Sequence, residues 1–234
     1  MKIGILGSGN MGRSLGMRWA EAGHQVFFGG RSPDKAREVA AFVGQGSQGG
    51  SLDDAGAFGE ILLHTARDVL LSDLLSDLAT IAGKVVIDLN NRPIYEGLEF
   101  EPVTESYTEE LQRDAPDARL VKAFNMFAQE LFEHDASTIA SYGVSLFMAG
   151  DDPAAKADVG RLGADLGFTP IDVGPLRNSR LVETMGDAIR YLIIGSGLGG
   201  FATLSVRALP KADASRLGGR QTSALAGQAS RKSH

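Results

Sequence analysis

Gly7-Ser8-Gly9-Asn10-Met11-Gly12 has the GxGxxG spacing that lets backbone N–H groups close on a pyrophosphate. Lys2 to Leu6 before it reads as a short apolar strand, the run to Ala22 as a helix, and Gln25 to Phe28 as a second strand ending at Gly29-Gly30-Arg31. In that setting the motif signifies a dinucleotide, and the helix N-terminus adds partial positive charge. The end of the second strand says which dinucleotide. NAD binders place Asp or Glu about 20 residues past the motif to hold the ribose 2′-hydroxyl, whereas here the strand runs out at Gly30-Arg31-Ser32-Pro33-Asp34-Lys35. The guanidinium, hydroxyl and ammonium of Arg31, Ser32 and Lys35 suit a 2′-phosphate, which a carboxylate would repel. The reading is NADP(H); the competing one is a glycine-rich turn followed by a solvated Arg.

The rest of the chain alternates helix and strand, which predicts an α/β fold with a doubly wound, mostly parallel sheet. Ser32-Pro33 starts a helix to Val43, Gly44 to Gly50 reads as a loop, and Ser51 to Ala55 as a short helix start. Strands are expected at Glu60–His64, Lys84–Leu89, Arg119–Phe124, Ser145–Gly150 and Thr169–Val173, and helices at Val69–Ile81, Thr108–Gln112 and Pro153–Leu166. The apolar residues Leu181, Val182, Met185, Ile189, Leu192 and Ile193 recur at helical spacing on a helix that no strand follows. Such a face packs on the domain's own flank or on a two-fold mate, and a homodimer is the expectation. The expected organisation is a nucleotide-binding domain over 1–175, a helical dimerisation segment over 176–209 and a mobile tail over 210–234.

Ligands of open parallel sheets lie beyond the strands' carboxyl ends. The tips are therefore Gly7 to Gly12, Gly30 to Lys35, His64-Thr65-Ala66-Arg67, Asn90-Asn91-Arg92 and Asn125-Met126-Phe127-Ala128. The first two would hold adenosine and phosphates; the others, with Thr65, Ala66, Asn90 and Asn125, border the nicotinamide and its reaction partner. The amides of Asn90 and Asn125 could bond a carboxamide or ribose hydroxyls, or simply make a cap or turn. His64 is either an acid/base or a hydrogen-bonded histidine beneath the site. The pairs Asp53-Asp54 and Asp151-Asp152 read as helix caps, and neither a nucleophile–base set nor a metal-ligand spacing is present.

Composition narrows the classes. The chain of 234 residues has no Cys and a net charge of −6, which excludes thiolate chemistry and speaks against non-specific nucleic-acid binding. No export signal and no membrane-length apolar run is read, so a soluble cytoplasmic protein is expected. Hydride transfer between a nicotinamide and a flavin-like ring requires stacked rings in a dry cleft more than a protein acid or base.

From Lys2 to about Val206 the chain resembles the coenzyme F420-dependent NADP oxidoreductases. The likeness rests on the opening GxGNxG, Arg31 with Lys35 four residues on, Ala149-Gly150-Asp151-Asp152, and the run Gly174 to Glu183. It implies hydride transfer between NADP(H) and an 8-hydroxy-5-deazaflavin, with Ser8 to Met11 at the pyrophosphate, Arg31 and Lys35 at the 2′-phosphate, Thr65 on the nicotinamide side and the helix from Leu181 in a dimer. Gly30 stands where those enzymes have a serine. Ala66-Arg67-Asp68 lacks their Pro-Trp pair, and Asn90 to Arg92 and Lys122 to Asn125 also differ. Arg67, Arg92, Lys122 and Arg177 could meet an anionic deazaflavin tail or be solvated. The chain is similar also to the cytosolic domains of six-transmembrane metalloreductases, which implies FAD or FMN as acceptor, and its Met11-Gly12 to pyrroline-5-carboxylate reductases. A non-catalytic NADP(H) sensor is the alternative of a different class.

Overall fold

Strands covered on both faces need near-continuous apolar sequence, and five of the six strands of the main sheet supply it. The computed structural model describes residues 1–93 and 98–210. Its main sheet is wholly parallel: β1 (Lys2–Leu6), β2 (Gln25–Gly29), β3 (Gln48–Gly50), β4 (Ile61–His64), β5 (Val85–Asp88) and β6 (Arg119–Lys122), in the order β3-β2-β1-β4-β5-β6. The order reverses between β1 and β4, the crevice where dinucleotides lie in such sheets. Successive residues serve opposite faces. Ile3, Ile5, Leu63 and Ile87 enter one core, while Leu6, Leu62, Val86 and Leu120 enter the other.

The helices are α1 (Asn10–Glu21), α2 (Pro33–Val43), α3 (Leu52–Phe58), α4 (Leu71–Leu74), α5 (Tyr107–Asp114), α6 (Ala136–Tyr142), α7 (Pro153–Asp165) and α8 (Ser179–Ile194). Trp19 fixes α1 to α7: its indole is fully buried, donates to the Leu162 carbonyl at 3.1 Å and meets Phe124 edge-on at 5.6 Å. The paired acids cap or brace helices. Asp54 completes a capping box with Ser51, Asp152 caps α7, Asp53 holds Ser76, and Asp151 accepts from the Leu176 amide.

Four sequence expectations need correction. The loop over 44–50 contains β3, whose Gln-Gly-Gly has no apolar pattern to betray it. The helix expected over 69–81 is broken into α4 and a 3-10 turn at Leu78–Ile81, because Ser72 and Ser76 turn to Asp114 and Asp53 and their amides leave the helical ladder. A further helix, α6, lies between Asp135 as N-cap and left-handed Gly143 as C-cap. Finally β7 (Ser145–Met148) and β8 (Thr169–Asp172) form their own parallel pair, which meets the main sheet only through an antiparallel Lys122–Ala149 bridge. The tail over 211–234 lies outside the described residues.

α8 packs inward along the face predicted for it except at Leu181, which points away from the core. Val182 and Ile189 are buried and Met185, Leu192 and Ile193 lie against the core, while Leu181, Tyr191 and Ile194 stay exposed. Among the described residues no helix is long and apolar enough to cross a membrane.

Candidate active site

The glycine turn is held from below. Gly7 has φ +119°, which disfavours any side chain, and Thr65 from the tip of β4 shares its hydroxyl proton between the Leu6 and Gly7 carbonyls at 3.1 and 2.8 Å. The turn delivers α1 with Gly9 as N-cap and no side chain bonded to its first amides. By contrast, α2, α3, α5, α6 and α7 each have a Ser or Asp accepting there. Orphan N–H groups at a helix start are an anion site, and a Cβ built on Gly9 meets nothing within 4 Å. The residues present therefore fit a pyrophosphate.

Beside this turn lies the end of β2. A Cβ on Gly30 would fall 3.2 Å from Ser8 Oγ and 3.3 Å from the Ser32 carbonyl, so the missing serine leaves room that a side chain would crowd. Ser32 Oγ accepts from the Lys35 amide at 3.5 Å and keeps its own proton to donate. Arg31 and Lys35 are exposed and enter no ion pair among the described residues. Gly30 is thus brought next to Ser8, and Gly30, Arg31, Ser32 and Lys35 all lie outside the main cleft.

That cleft, about 500 Å³, continues from Gly9, Asn10, Met11 and Gly12 past Thr65 and Asn90 to Asn125. Phe127, Ile189 and Ile193 give it an apolar wall, and Arg67 and Arg190 add positive charge. Gly7, Ser8 and Ala66 lie beside it and do not line it. Phe124 adopts φ +63°, a strained turn for an aromatic residue, and its ring sits among Trp19, Phe127 and Phe168. Packing overrides the strain and presents Asn125, whose amide donates to Asn91 Oδ1 at 2.9 Å and the Val182 carbonyl at 3.1 Å while its Oδ1 has no partner.

Asn90 is committed inward. Its Nδ2 donates to Asp88 Oδ1 at 2.9 Å and to His64 Nδ1 at 2.7 Å, while His64 Nε2 lies 3.0 Å from the Val69 carbonyl. The hydrogen bonds assign a neutral Nε2-protonated imidazole. His64 is therefore the buried, hydrogen-bonded histidine of the two readings.

Behind the asparagines is a cluster that sequence reasoning missed. Lys122 reads from sequence as either a partner for an anionic tail or a solvated strand-end residue; it is neither, being wholly buried. Its ammonium donates to Asp88 Oδ2 at 2.9 Å, to Glu183 Oε1 at 3.1 Å and to the Asn90 carbonyl. Asp88 and Lys122 are register partners on β5 and β6. Burial alone would raise the Asp88 carboxyl, but Lys122 holds it below the ordinary carboxylate range. Burial pushes Glu183 up to about 7, helped by Asp88 and opposed by Lys122. A charged residue inside an apolar strand was the available signal, since such a group needs a buried partner.

A family model described as NADP oxidoreductase, coenzyme F420-dependent, matches residues 2–92. That match covers less than half of the chain. A protein from Arthrobacter sp. FB24, provisionally described as an F420-dependent NADP reductase, has a similar structure with TM-score 0.75 and 26% identity, covering 89% of this chain and 100% of that one. Among curated proteins, the metalloreductase STEAP3 of Rattus norvegicus is 29% identical over 187 residues, 79% of this chain and 36% of the relative. STEAP2 of Homo sapiens is 29% identical over 189 residues, 78% of this chain and 35% of its own length. The chain thus spans about a third of the curated relatives it matches. An imine reductase from Aspergillus terreus shares the fold alone, at 18% identity and TM-score 0.57.

Proposed function

We propose that this chain is an NADP(H)-dependent oxidoreductase that passes a hydride between NADP(H) and a deazaflavin (coenzyme F420) or a flavin-like ring. One observation carries the reading: an uncapped helix start under a glycine turn opens directly into an apolar-walled cleft of about 500 Å³. Ser8 to Met11 would hold the pyrophosphate, and Arg31, Ser32 and Lys35 the 2′-phosphate. Asn90 and Asn125 would border the nicotinamide end, with Ala66 beside them. When bound, the nicotinamide supplies the hydride. The protein's part is to orient two rings and exclude water. Asn125 keeps one unpartnered acceptor for this purpose, whereas Thr65 and Asn90 act through the backbone and side chains they brace.

The metalloreductase likeness, over more of the chain than the family match, favours FMN or FAD as an alternative acceptor. We place the second copy of a homodimer on the exposed Leu181, Tyr191 and Ile194 of α8, and the cysteine-free protein in a reducing cytoplasm. Stopped-flow NADPH oxidation tests the assignment. Turnover with deazaflavin and not FMN supports the first acceptor, and flavin turnover the second. Tight NADPH binding with no turnover by either would leave a sensor.

Two glycine variants separate binding from folding. Gly12→Ala drives a methyl against the Gly7 carbonyl and should cost about 1–3 kcal/mol of stability. Gly9→Ala meets no protein atom and should cost under about 1 kcal/mol, yet weaken NADPH binding by closing the helix start. Thermal melts with and without NADPH check both; equal stability losses would refute the distinction.

A further inference from the structure

Glu183 is the least settled member of the buried cluster. Its Oε1 accepts from Lys122 and from the Tyr107 amide at 3.0 Å, while its Oε2 has no hydrogen-bond partner and lies 3.9 Å from Arg92 Nε, which is also buried and unpartnered. Charged groups surround it from several elements. Asp88 on β5 and Lys122 on β6 cancel each other, and His64 on β4 is neutral. Arg180 on α8 is paired bidentately with Glu109 on α5, and Arg190 further along α8 is paired with Asp187. Glu105 holds Arg113. The half-exposed Arg92 donates to the neutral Glu105 carbonyl and keeps its charge 3.9 Å from Oε2, and Arg67 is a further cation on the cleft wall. The core triad is therefore neutral when Glu183 is protonated and carries one net negative charge when it is ionised.

Two hydrogen-bonded steps lead from this carboxyl to the cleft wall. Lys122 ties it to the Asn90 carbonyl, and Val182, its chain neighbour, accepts from Asn125. We infer that Glu183 is a positioning residue that sets the preference of this site between the two oxidation states of the nicotinamide, its buried charge favouring the cationic oxidised ring over the neutral reduced one. The inference rests on the proposed reading that the nicotinamide end enters the cleft beside Asn90 and Asn125. Glu183, Lys122, Asn90 and Asn125 are all buried, so the charge is screened less than at a surface and gives a measurable bias. Reciprocity requires that NADP⁺ binding favour the ionised carboxyl and expel a proton, which NADPH binding would not.

The test needs no acceptor. The ratio of the NADPH to the NADP⁺ dissociation constant is measured by calorimetry from pH 6 to 8, where Glu183 changes charge. Both nucleotides carry the 2′-phosphate, so its own titration cancels. As pH rises the ratio should increase by about three- to tenfold, and Glu183→Gln should hold it flat at the low-pH value. Calorimetry of the wild-type protein in buffers of different ionisation enthalpy should find proton release with NADP⁺ in excess of that with NADPH, and this readout stands if the variant does not fold. A flat wild-type ratio, equal proton release, or a slope retained in a folded Glu183→Gln protein overturns the inference. Failure of wild-type protein to bind either nucleotide would instead defeat the cofactor assignment beneath it.

Discussion

Lys122→Met should be the most damaging single substitution in the nucleotide-binding region. It leaves Asp88 and Glu183 in the interior without the ammonium that both face at 2.9 and 3.1 Å, and it unties the Asn90 carbonyl. Breaking one side of a buried ion pair costs about 3–5 kcal/mol, since the remaining charge keeps its desolvation penalty. For a chain of this size that is a fall of roughly 10 °C or more in Tm. The deficit should shrink at acid pH. Without the cation, burial is opposed only by the hydrogen bonds that Asn90 and Thr108 give Asp88, by His64, and by Arg92 beside Glu183, so both carboxyls rise and fold best protonated, and the stability they then contribute is lost as pH rises. Urea unfolding at pH 5.5 and 8 measures this, and a variant as stable as wild type at both would show the ammonium to be dispensable. Adding Asp88→Asn should recover part of the loss.

Arg31→Asp should weaken NADPH binding at least tenfold and leave NADH nearly unchanged. The side chain is exposed and makes no ion pair among the described residues, so folding loses nothing by its removal. The change converts attraction for a 2′-phosphate into repulsion, and Ser32 and Lys35 remain to bind weakly. Fluorescence titration with both nucleotides decides it. Equal losses would remove the basis for reading NADP(H) from the end of β2.

The β1–turn–α1–β2 unit was legible because every signal there is local: apolar strands, glycines at fixed spacing, and Ser32-Pro33 opening α2. The strands β5 and β6 declared themselves by their branched apolar runs. What stayed hidden depends on partners distant in sequence. Lys122 and Asp88 are 34 residues apart, and only the register of β5 on β6 makes them a pair. Glu183 joins them from α8, a helix that periodicity alone assigned to packing. The broken helix after Leu74 has a similar cause, since Ser76 reaches back to Asp53 across 23 residues. His64 and Asn90 lay where strand-end reasoning put them, but their hydrogen bonds point into the protein. That direction is invisible in a list of residue types.

The close passage of α8 over the asparagines bears on how acceptors are told apart. A side chain at Gly186 would reach within 2.5 Å of Asn91 Oδ1 and 2.7 Å of Asn125 Nδ2, so the depth of the groove is set there by bare backbone and cannot be altered piecemeal. Its width is a separate matter, fixed by Ile189 and Ile193 on the following turns. Enlarging or trimming those two isoleucines is the route by which this scaffold could admit a broader or narrower ring while the nucleotide grip stays untouched.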